Sequence, residues 1–447
     1  MPDTFPRPVA AIILAAGQGT RMKSTLHKVL HPLAGRPMLL HLLASVDGLA
    51  PAAKVIVVGA GREQVEAAVI RSGAGVVVQQ PQLGTAHAVQ QAESALAGFD
   101  GDILILYGDV PLVETATMRR MLDALTGDVG AVVLGFRPVD PAAYGRILAH
   151  DGIIERMVEY KDASEAERAV TLCNSGLLAI RAADLWPLLA RVGNDNAAGE
   201  YYLPDIVGLA SSASRVIETD AAEVAGINSR AELAAVEGAW QARRRAAMMT
   251  AGVSLIAPET VWFSYDTTIA SDVSIEPNVW FGPGVSVATG ARIRANCHIE
   301  GAVIGEKVEV GPFARLRPGT VLDARSKVGN FVEIKNAHLD VRAKVNHLSY
   351  IGDAEIGADT NIGAGTITCN YDGFFKYRTN IGAGAFIGSN SALVAPVTIG
   401  AGAIVAAGTV LTSDVEPDAL ALARPQATRK PGWAARFRSA MIARKTS

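Results

Sequence analysis

Two sets of residues in this chain have the types and spacing that phosphate binding and acid–base chemistry need. The first opens with Leu14-Ala15-Ala16-Gly17 and continues through Gln18-Gly19-Thr20-Arg21-Met22, a glycine-rich turn directly after an apolar run. Such a turn lets backbone N–H groups approach a phosphate closely, and Arg21 adds a forked donor. It is not a Walker A loop, because no Gly-Lys-Ser/Thr follows, and the third glycine of a dinucleotide fingerprint is missing. Lys28 lies within reach of the same turn. Tyr107-Gly108-Asp109 places a carboxylate just beyond a β-rich run, the edge at which open α/β sheets bind ligands, and there an aspartate can hold Mg²⁺ against phosphate oxygens. A tight turn or a helix cap would account for Gly17 or Asp109 taken singly. With Arg21 and Lys28 beside them, the set points to a nucleotide.

The second set is Arg317, Lys335, His347, Tyr350, Asn370 and Tyr371. Histidine is the residue type best suited to general-base work near neutral pH, and His347 is the one histidine of this set. Arg317 and Lys335 are eighteen residues apart, and each follows an apolar residue of a repeat. That spacing predicts one outward column with the two cations roughly 5 Å apart. No acid is expected between them, so a bound phosphate would relieve their repulsion.

The elements that must position these sets differ in texture. Up to about residue 230, short β-rich runs alternate with helical stretches. Val9–Leu14, Lys54–Gly59, Gly75–Gln79, Asp102–Tyr107 and Ala131–Phe136 read as strands, and Glu63–Arg71 and Thr85–Ala97 as helices. The alternation predicts a mainly parallel sheet with helices on both faces. Residues 228–250 read as one long connector helix, capped by Ser229 with Glu232 three positions on. After Ala251 the period becomes six, as in Ile269, Ile275, Phe281, Val287, Ile293 and Ile299. Two later runs carry the same period, from Ile304 to Ile334 and from Ile381 to Leu411. Six is neither a helical nor a strand period; it is the mark of a parallel β-helix, three hexapeptides to a coil. The period breaks between Ile334 and Ile356 and again between Ile362 and Ile381. Loops leave a solenoid at such breaks, and Lys335, His347, Tyr350, Asn370 and Tyr371 of the second set lie there.

Bulk properties narrow the classes. The chain has 447 residues, enough for two or three domains, and 49% hydrophobic residues, enough for buried cores. A net charge of -3 gives no stripe for nucleic acid and no polybasic membrane patch; only the tail, Arg424 to Lys445, is basic. Cys173, Cys297 and Cys369 form no disulfide or metal-ligand pattern, and Val9–Ala16 is too short to span a membrane. A cytoplasmic protein is expected.

The motifs also carry a resemblance. LAAGQGTRM with Lys28, QLGTAHA (82–88), YGDVPL (107–112), YGR (144–146), VEYKD (158–162), CNSG (173–176) and GEYYLPD (199–205) resemble, in that order, the sugar-1-phosphate nucleotidyltransferases. GPFARLRPG (311–319), VGNFVEIKNA (328–337), NHLSYIGDAEIG (346–357) and NIGAGTITCNYDG (361–373) extend the likeness. Together they resemble the bacterial bifunctional UDP-N-acetylglucosamine pyrophosphorylase/glucosamine-1-phosphate acetyltransferase family. The resemblance implies an α/β, Rossmann-like uridylyltransferase domain (1–228), a helical linker (229–250), and a left-handed β-helix acetyltransferase domain with its tail (251–447). It implies acetyl-CoA and UTP as co-substrates, Mg²⁺ as the metal, a homotrimer, no nucleic-acid or membrane partner, and a place in cell-wall precursor supply.

Carried over by residue, Leu14, Ala15, Ala16 and Gly17 would cradle the nucleotide, Gln79, Gly84 and Thr85 would read uracil, and Arg21 and Lys28 would assist the transfer. Tyr107 and Gly108 line the same site, Asp109 and Asn228 would hold the metal, and Gly145, Glu159 and Asn174 would grip the sugar. In the other domain His347 would be the proton acceptor. Arg317, Lys335, Tyr350 and Asn361 would bind sugar phosphate, and Ala364, Asn370, Tyr371, Ser389, Ala407 and Arg424 would bind acetyl-CoA. His27 stands where the family usually has proline before the lysine, and Gln18 lies between the loop glycines. Two other readings remain at this stage: a single-function nucleotidyltransferase whose β-helix serves only assembly, and a non-catalytic regulatory subunit.

Overall fold

A computed structural model describes residues 7–423 and 427–446. The chain packs as two compact units, divided between Arg244 and Arg245. The long helix forms as Arg230–Thr250, so this division falls inside it. Its start is capped as the sequence implied: the Ser229 hydroxyl accepts from the Glu232 N–H (3.3 Å), and the Glu232 carboxylate accepts from the Asn228 N–H (2.7 Å).

The first unit is built on a nine-stranded sheet. Its strands are β1 (Val9–Ala15), β2 (Ala53–Val58), β3 (Gly75–Val78), β4 (Asp102–Tyr107), β5 (Val129–Phe136), β6 (Arg146–His150), β7 (Ile153–Val158), β8 (Cys173–Arg181) and β9 (Ala213–Thr219). The spatial order is β3-β2-β1-β4-β8-β5-β9-β7-β6. The first four strands are parallel and mostly apolar, with Lys54 and Asp102 confined to their starts, and β1 is buried along its whole length between β2 and β4. Two apolar clusters, one around Ile13, Leu39 and Leu106 and one around Ile12, Ile105 and Ile180, hold the core. The expectation of a mainly parallel sheet needs correction at β8, which runs antiparallel to both β4 and β5, and at the β6–β7 hairpin. β8 inserts between two parallel strands and buries Leu178 and Ile180 there, so its apolar alternation carries no sign of its direction. The stretch read as one helix over 85–97 is an α-helix, Thr85–Gln90, followed by a 3-10 turn, Ser94–Leu96.

The second unit is a three-faced parallel solenoid. One face runs through Ser274, Arg292, Glu309, Lys327, Lys344, Asn361, Phe386 and Ile404. A second runs through Trp280, His298, Arg315, Glu333, Tyr350, Ile367 and Ala392, and a third through Ser286, Val303, Val321, His338, Glu355 and Asn380. The residue after each points inward, which is the period of six: Ile293, Val310, Phe281, Leu316, Ile334, Val287 and Leu322 are all buried. The breaks in the period have two physical sources. Coils such as Glu333 to Tyr350 close in seventeen residues, with Asn336 and Asp353 at left-handed corners (φ 46° and 50°). The coil from Asn361 to Phe386 takes twenty-five, because residues 370–378 leave the body as a loop.

Candidate functional site

At the carboxyl ends of β1 and β4, Leu14, Ala15, Ala16, Gly17, Lys28, Gln79, Gly84, Thr85, Tyr107 and Asp109 line one cavity of about 400 Å³. β1 and β4 pair in register, Leu14 beside Tyr107, and the Gly108 N–H donates to the Leu14 carbonyl (2.9 Å). The turn after β1 is closed by Gly19, which has φ 66° and lies so near Lys28 that an added Cβ would fall 2.5 Å from the lysine Cβ. Lys28 is thereby pressed into the site. Its ammonium donates to Asp109 Oδ2 (2.5 Å) and to Asn228 Oδ1 (3.0 Å). Asn228 is brought there by the Ile227 N–H, which donates to the Asp109 carbonyl (3.0 Å). Arg21 stands apart from this lining; it is exposed and has no hydrogen bond or ion pair among the described residues.

Two oxygens from different segments thus converge on one cation. One carboxylate, one amide oxygen and substrate phosphates form the kind of set that Mg²⁺ accepts, since it keeps several waters and takes few protein ligands. The residues fit that ion. Among the described residues no cluster of three or more His, Cys, Asp or Glu has metal-holding geometry, so a fully protein-bound metal centre is not what they form.

A second cavity, about 250 Å³, is lined by Gly145, Arg146, Arg156, Glu159, Asp162, Asn174, Asp195, Asn196, Tyr202 and Asp205. Gly145 leaves room for the Glu159 carboxylate, which would be 3.3 Å from any added Cβ, and its carbonyl accepts from the Asn174 N–H (2.9 Å). Burial, then the charges of Asp162 and Asp205, push the Glu159 carboxyl up. Arg146 is buried and spends its donors on the Pro141, Ala142 and Arg168 carbonyls, fixing the loop ahead of it. Asp162, Tyr202 and Asp205 sit inside motifs visible in the sequence, yet only their common cavity shows that they act with Glu159 and Asn174. Tyr107 spans the two cavities' neighbourhoods: it is bonded to Thr85, feels the charges of Asp109 and Glu159, and burial raises its hydroxyl far above the usual tyrosine range.

On the solenoid the second polar set assembles around one face. The Arg317 N–H donates to the Ile334 carbonyl (2.8 Å), which seats Lys335 directly above Arg317, and Lys335 pairs across to Gly352. The column is as expected, but its lack of acids is not. Arg317 pairs with Glu333 (2.9 Å) and Lys335 lies 3.9 Å from Asp353. These acids come from two residues earlier on the strand and from the next coil, places that an eighteen-residue comparison skips. Asp353 is buried and also accepts from Asn336 (2.6 Å) and Asn370. Burial alone would raise its carboxyl, but those two hydrogen bonds and the Lys335 and Lys376 charges outweigh it and hold the group low. Lys376, from the 370–378 loop, was not singled out by spacing. It lies beside Lys335, whose hydrogen bond and charge depress its ammonium.

His347 is one coil above Asn330, and its Nδ1 is 2.5 Å from the Asn330 side-chain oxygen. Asn361 stacks on Lys344 as the next coil of that face, so Ala364 follows His347 upward, and the Gly365 N–H donates to the His347 carbonyl (3.2 Å). The Asn390 N–H donates to the Ala364 carbonyl (2.8 Å) and the Gly408 N–H to the Ser389 carbonyl (2.8 Å), which lines Ala364, Ser389 and Ala407 along one corner. Tyr371 is exposed on the loop and donates to the Gly373 carbonyl (2.6 Å). Arg424 lies outside the described residues.

The MobA-like NTP transferase domain family matches residues 11–176, and the bacterial transferase hexapeptide family (six repeats) matches 378–413. The protein named Bifunctional protein GlmU from Rhizorhabdus wittichii is 66% identical over 99% of both chains. Those of the same name from Sphingopyxis alaskensis and Zymomonas mobilis are 64% and 60% identical, covering 98% and 97% of this chain and 98% of their own. The chain belongs to the GlmU family. A GlmU is bifunctional, so this chain is a transferase twice over, with a nucleotidyltransferase fold and a hexapeptide-repeat acyltransferase fold. This removes the single-function and regulatory readings. Among the described residues no helix is long and apolar enough to cross a membrane.

Proposed function

We propose that the paired cavities of the first unit bind UTP and N-acetylglucosamine 1-phosphate, and that the Lys335 face of the solenoid N-acetylates glucosamine 1-phosphate with acetyl-CoA. The chain is a bifunctional GlmU enzyme with UTP and acetyl-CoA as co-substrates. The observation that carries the residue roles is the convergence of Lys28, Asp109 and Asn228 at a glycine-rich turn. In this reading Leu14–Gly17 present N–H groups to the phosphates, Gln79, Gly84 and Thr85 meet the base, and Arg21 reaches a phosphate from outside. Gly145, Glu159 and Asn174 hold the sugar so that its phosphate attacks in line, and position and countercharge supply the rate. Asp109 and Asn228 would hold Mg²⁺, which would supply countercharge to the phosphates, and Lys28 would turn its ammonium to the phosphates.

In the solenoid, Arg317, Lys335, Tyr350 and Lys376 hold the sugar phosphate, and His347 takes the amine's proton. Asn330 orients that ring. Asn361 lies with the sugar-phosphate set, and Ala364, Asn370, Tyr371, Ser389, Ala407 and Arg424 are assigned to the coenzyme. The domain limits 1–228, 229–250 and 251–447, a homotrimer and a cytoplasmic location complete the reading. Asp109→Asn tests the metal assignment. It is expected to raise the Mg²⁺ concentration for half-maximal pyrophosphate release about tenfold or more while CoA release stays unchanged. An unchanged Mg²⁺ requirement contradicts the assignment.

A further inference from the structure

The geometry points to His87 as the positioning residue that makes this enzyme choose uracil, acting through the amide of Gln79. This rests on the proposal that Gln79 meets the nucleotide base. Gln79 is only 5% exposed yet lines the nucleotide cavity, so the way its amide faces decides what the cavity can read. Its backbone is fixed just after β3, where its N–H donates to the Val58 carbonyl (2.8 Å).

Both amide hydrogens are taken. Nε2 donates to the Gly84 carbonyl (2.9 Å) and to His87 Nδ1 (3.2 Å). The Gly84 carbonyl also accepts from the Ala88 N–H (3.1 Å) as the first acceptor of the Thr85–Gln90 helix. Turning the amide over would therefore set two oxygens against each other. An NH₂ group only donates, so His87 Nδ1 must accept and its proton resides on Nε2. With the proton there, Gln91 Nε2 at 3.3 Å makes no hydrogen bond to that nitrogen and donates instead to the His87 carbonyl (2.9 Å).

What remains is Gln79 Oε1, which has no partner among the described residues. It presents an acceptor to the cavity. Uracil offers a donor at N3, whereas cytosine offers an acceptor at N3 and a donor only at its exocyclic amine. A fixed acceptor therefore welcomes the first and leaves two lone pairs facing each other with the second, the arrangement that gives strong discrimination. His87 holds one of the two hydrogen bonds that keep the amide from rotating.

The test measures kcat/KM for UTP and for CTP, with N-acetylglucosamine 1-phosphate and Mg²⁺, on the full-length wild type and on H87A, H87N and Q79A. The Tm of the nucleotidyltransferase transition in each preparation reports that the first unit is folded. H87A is expected to narrow the UTP/CTP ratio about tenfold, mainly through a higher KM for UTP. H87N, whose side-chain oxygen can take the place of Nδ1, is expected to recover most of the ratio. If H87A lowers both nucleotides alike, or if it narrows the ratio and H87N does not restore it, His87 is merely structural and the inference is overturned. Q79A separates the two levels: an intact ratio in Q79A means that the base does not sit at Gln79. A collapsed ratio in Q79A with an intact one in H87A overturns the role of His87 alone.

Discussion

At the scale of single residues, both sites hold charges that would be costly without a ligand. Lys335 and Lys376 lie together, and the ammonium of Lys376 is depressed by its neighbour although fully solvent-facing. An anion between them would offset the repulsion of the two ammonium groups, and on that ground we place Lys376 with the proposed phosphate-binding set. Lys376→Ala is expected to raise KM for glucosamine 1-phosphate about tenfold with a smaller change in kcat, read from CoA release. Lys28, Asp109 and the glycine turn were legible in the sequence because one short motif holds each. Lys376, Asp353 and Asp205 were not, because their partners come from another coil or strand, and spacing along the chain carries no record of that.

Glu159 shows a different cost. Its carboxyl is raised from the ordinary 4.5 by burial and then by Asp162 and Asp205. A carboxyl raised in the folded state stabilises the fold while protonated and loses that contribution as pH rises through the raised value. At neutral pH the ionised form is therefore a burden that sugar binding must justify. Glu159→Gln is expected to raise the Tm of the nucleotidyltransferase transition by about 1–3 °C at pH 7.5 and by less at pH 4.5, while weakening sugar binding. An equal shift at both pH values would remove the ionisation as its cause.

Elements set the next scale. The period of six marked the inward residues of the solenoid in its three regular runs, all of them buried but Ile269 in the first, which is half-buried, since each inward side chain packs on its equivalents one coil away. Where coils shorten to seventeen residues, the period alone could mark the break but not say which residue was lost. The sheet of the first unit was legible where strands are buried on both faces, and misjudged at β8, whose direction depends on what precedes it in space. One outward ladder also has a measurable consequence. His338 lies between Asp323 (2.9 Å) and Glu355 (3.2 Å), on three successive coils of one face. Burial lowers its imidazole, but the Asp323 hydrogen bond and the charges of Asp323 and Glu355 outweigh it and raise the group above 6.5. A histidine raised in this way contributes stability that is full below its ordinary value and lost as pH rises through the folded one. The Tm advantage of wild type over His338→Gln is thus expected to be larger at pH 5.5 than at pH 9, by differential scanning calorimetry. A constant difference would mean that packing and not charge holds that ladder.

For the whole molecule, the two units carry complete polar sets of their own, one at a sheet edge and one on a solenoid face. Each site is assembled from residues of one unit alone: Lys28, Asp109 and Asn228 in the first, Lys335, His347 and Asp353 in the second. The change of texture near residue 250 was visible in the sequence because a period of six cannot be confused with an α/β alternation. The place of the division was less so, because the helix that bridges it is continuous and its first turns pack with the first unit. On this reading two independent transferase sites share this chain. This is tested most directly by incubating wild type and His347→Ala with glucosamine 1-phosphate, acetyl-CoA, UTP and Mg²⁺, and following CoA and pyrophosphate separately. Wild type should release both. The variant should release little CoA, and should release pyrophosphate at the wild-type rate once N-acetylglucosamine 1-phosphate is supplied. If wild type releases no CoA, or if the variant loses pyrophosphate release with the acetylated sugar present, the account of two independent sites is wrong.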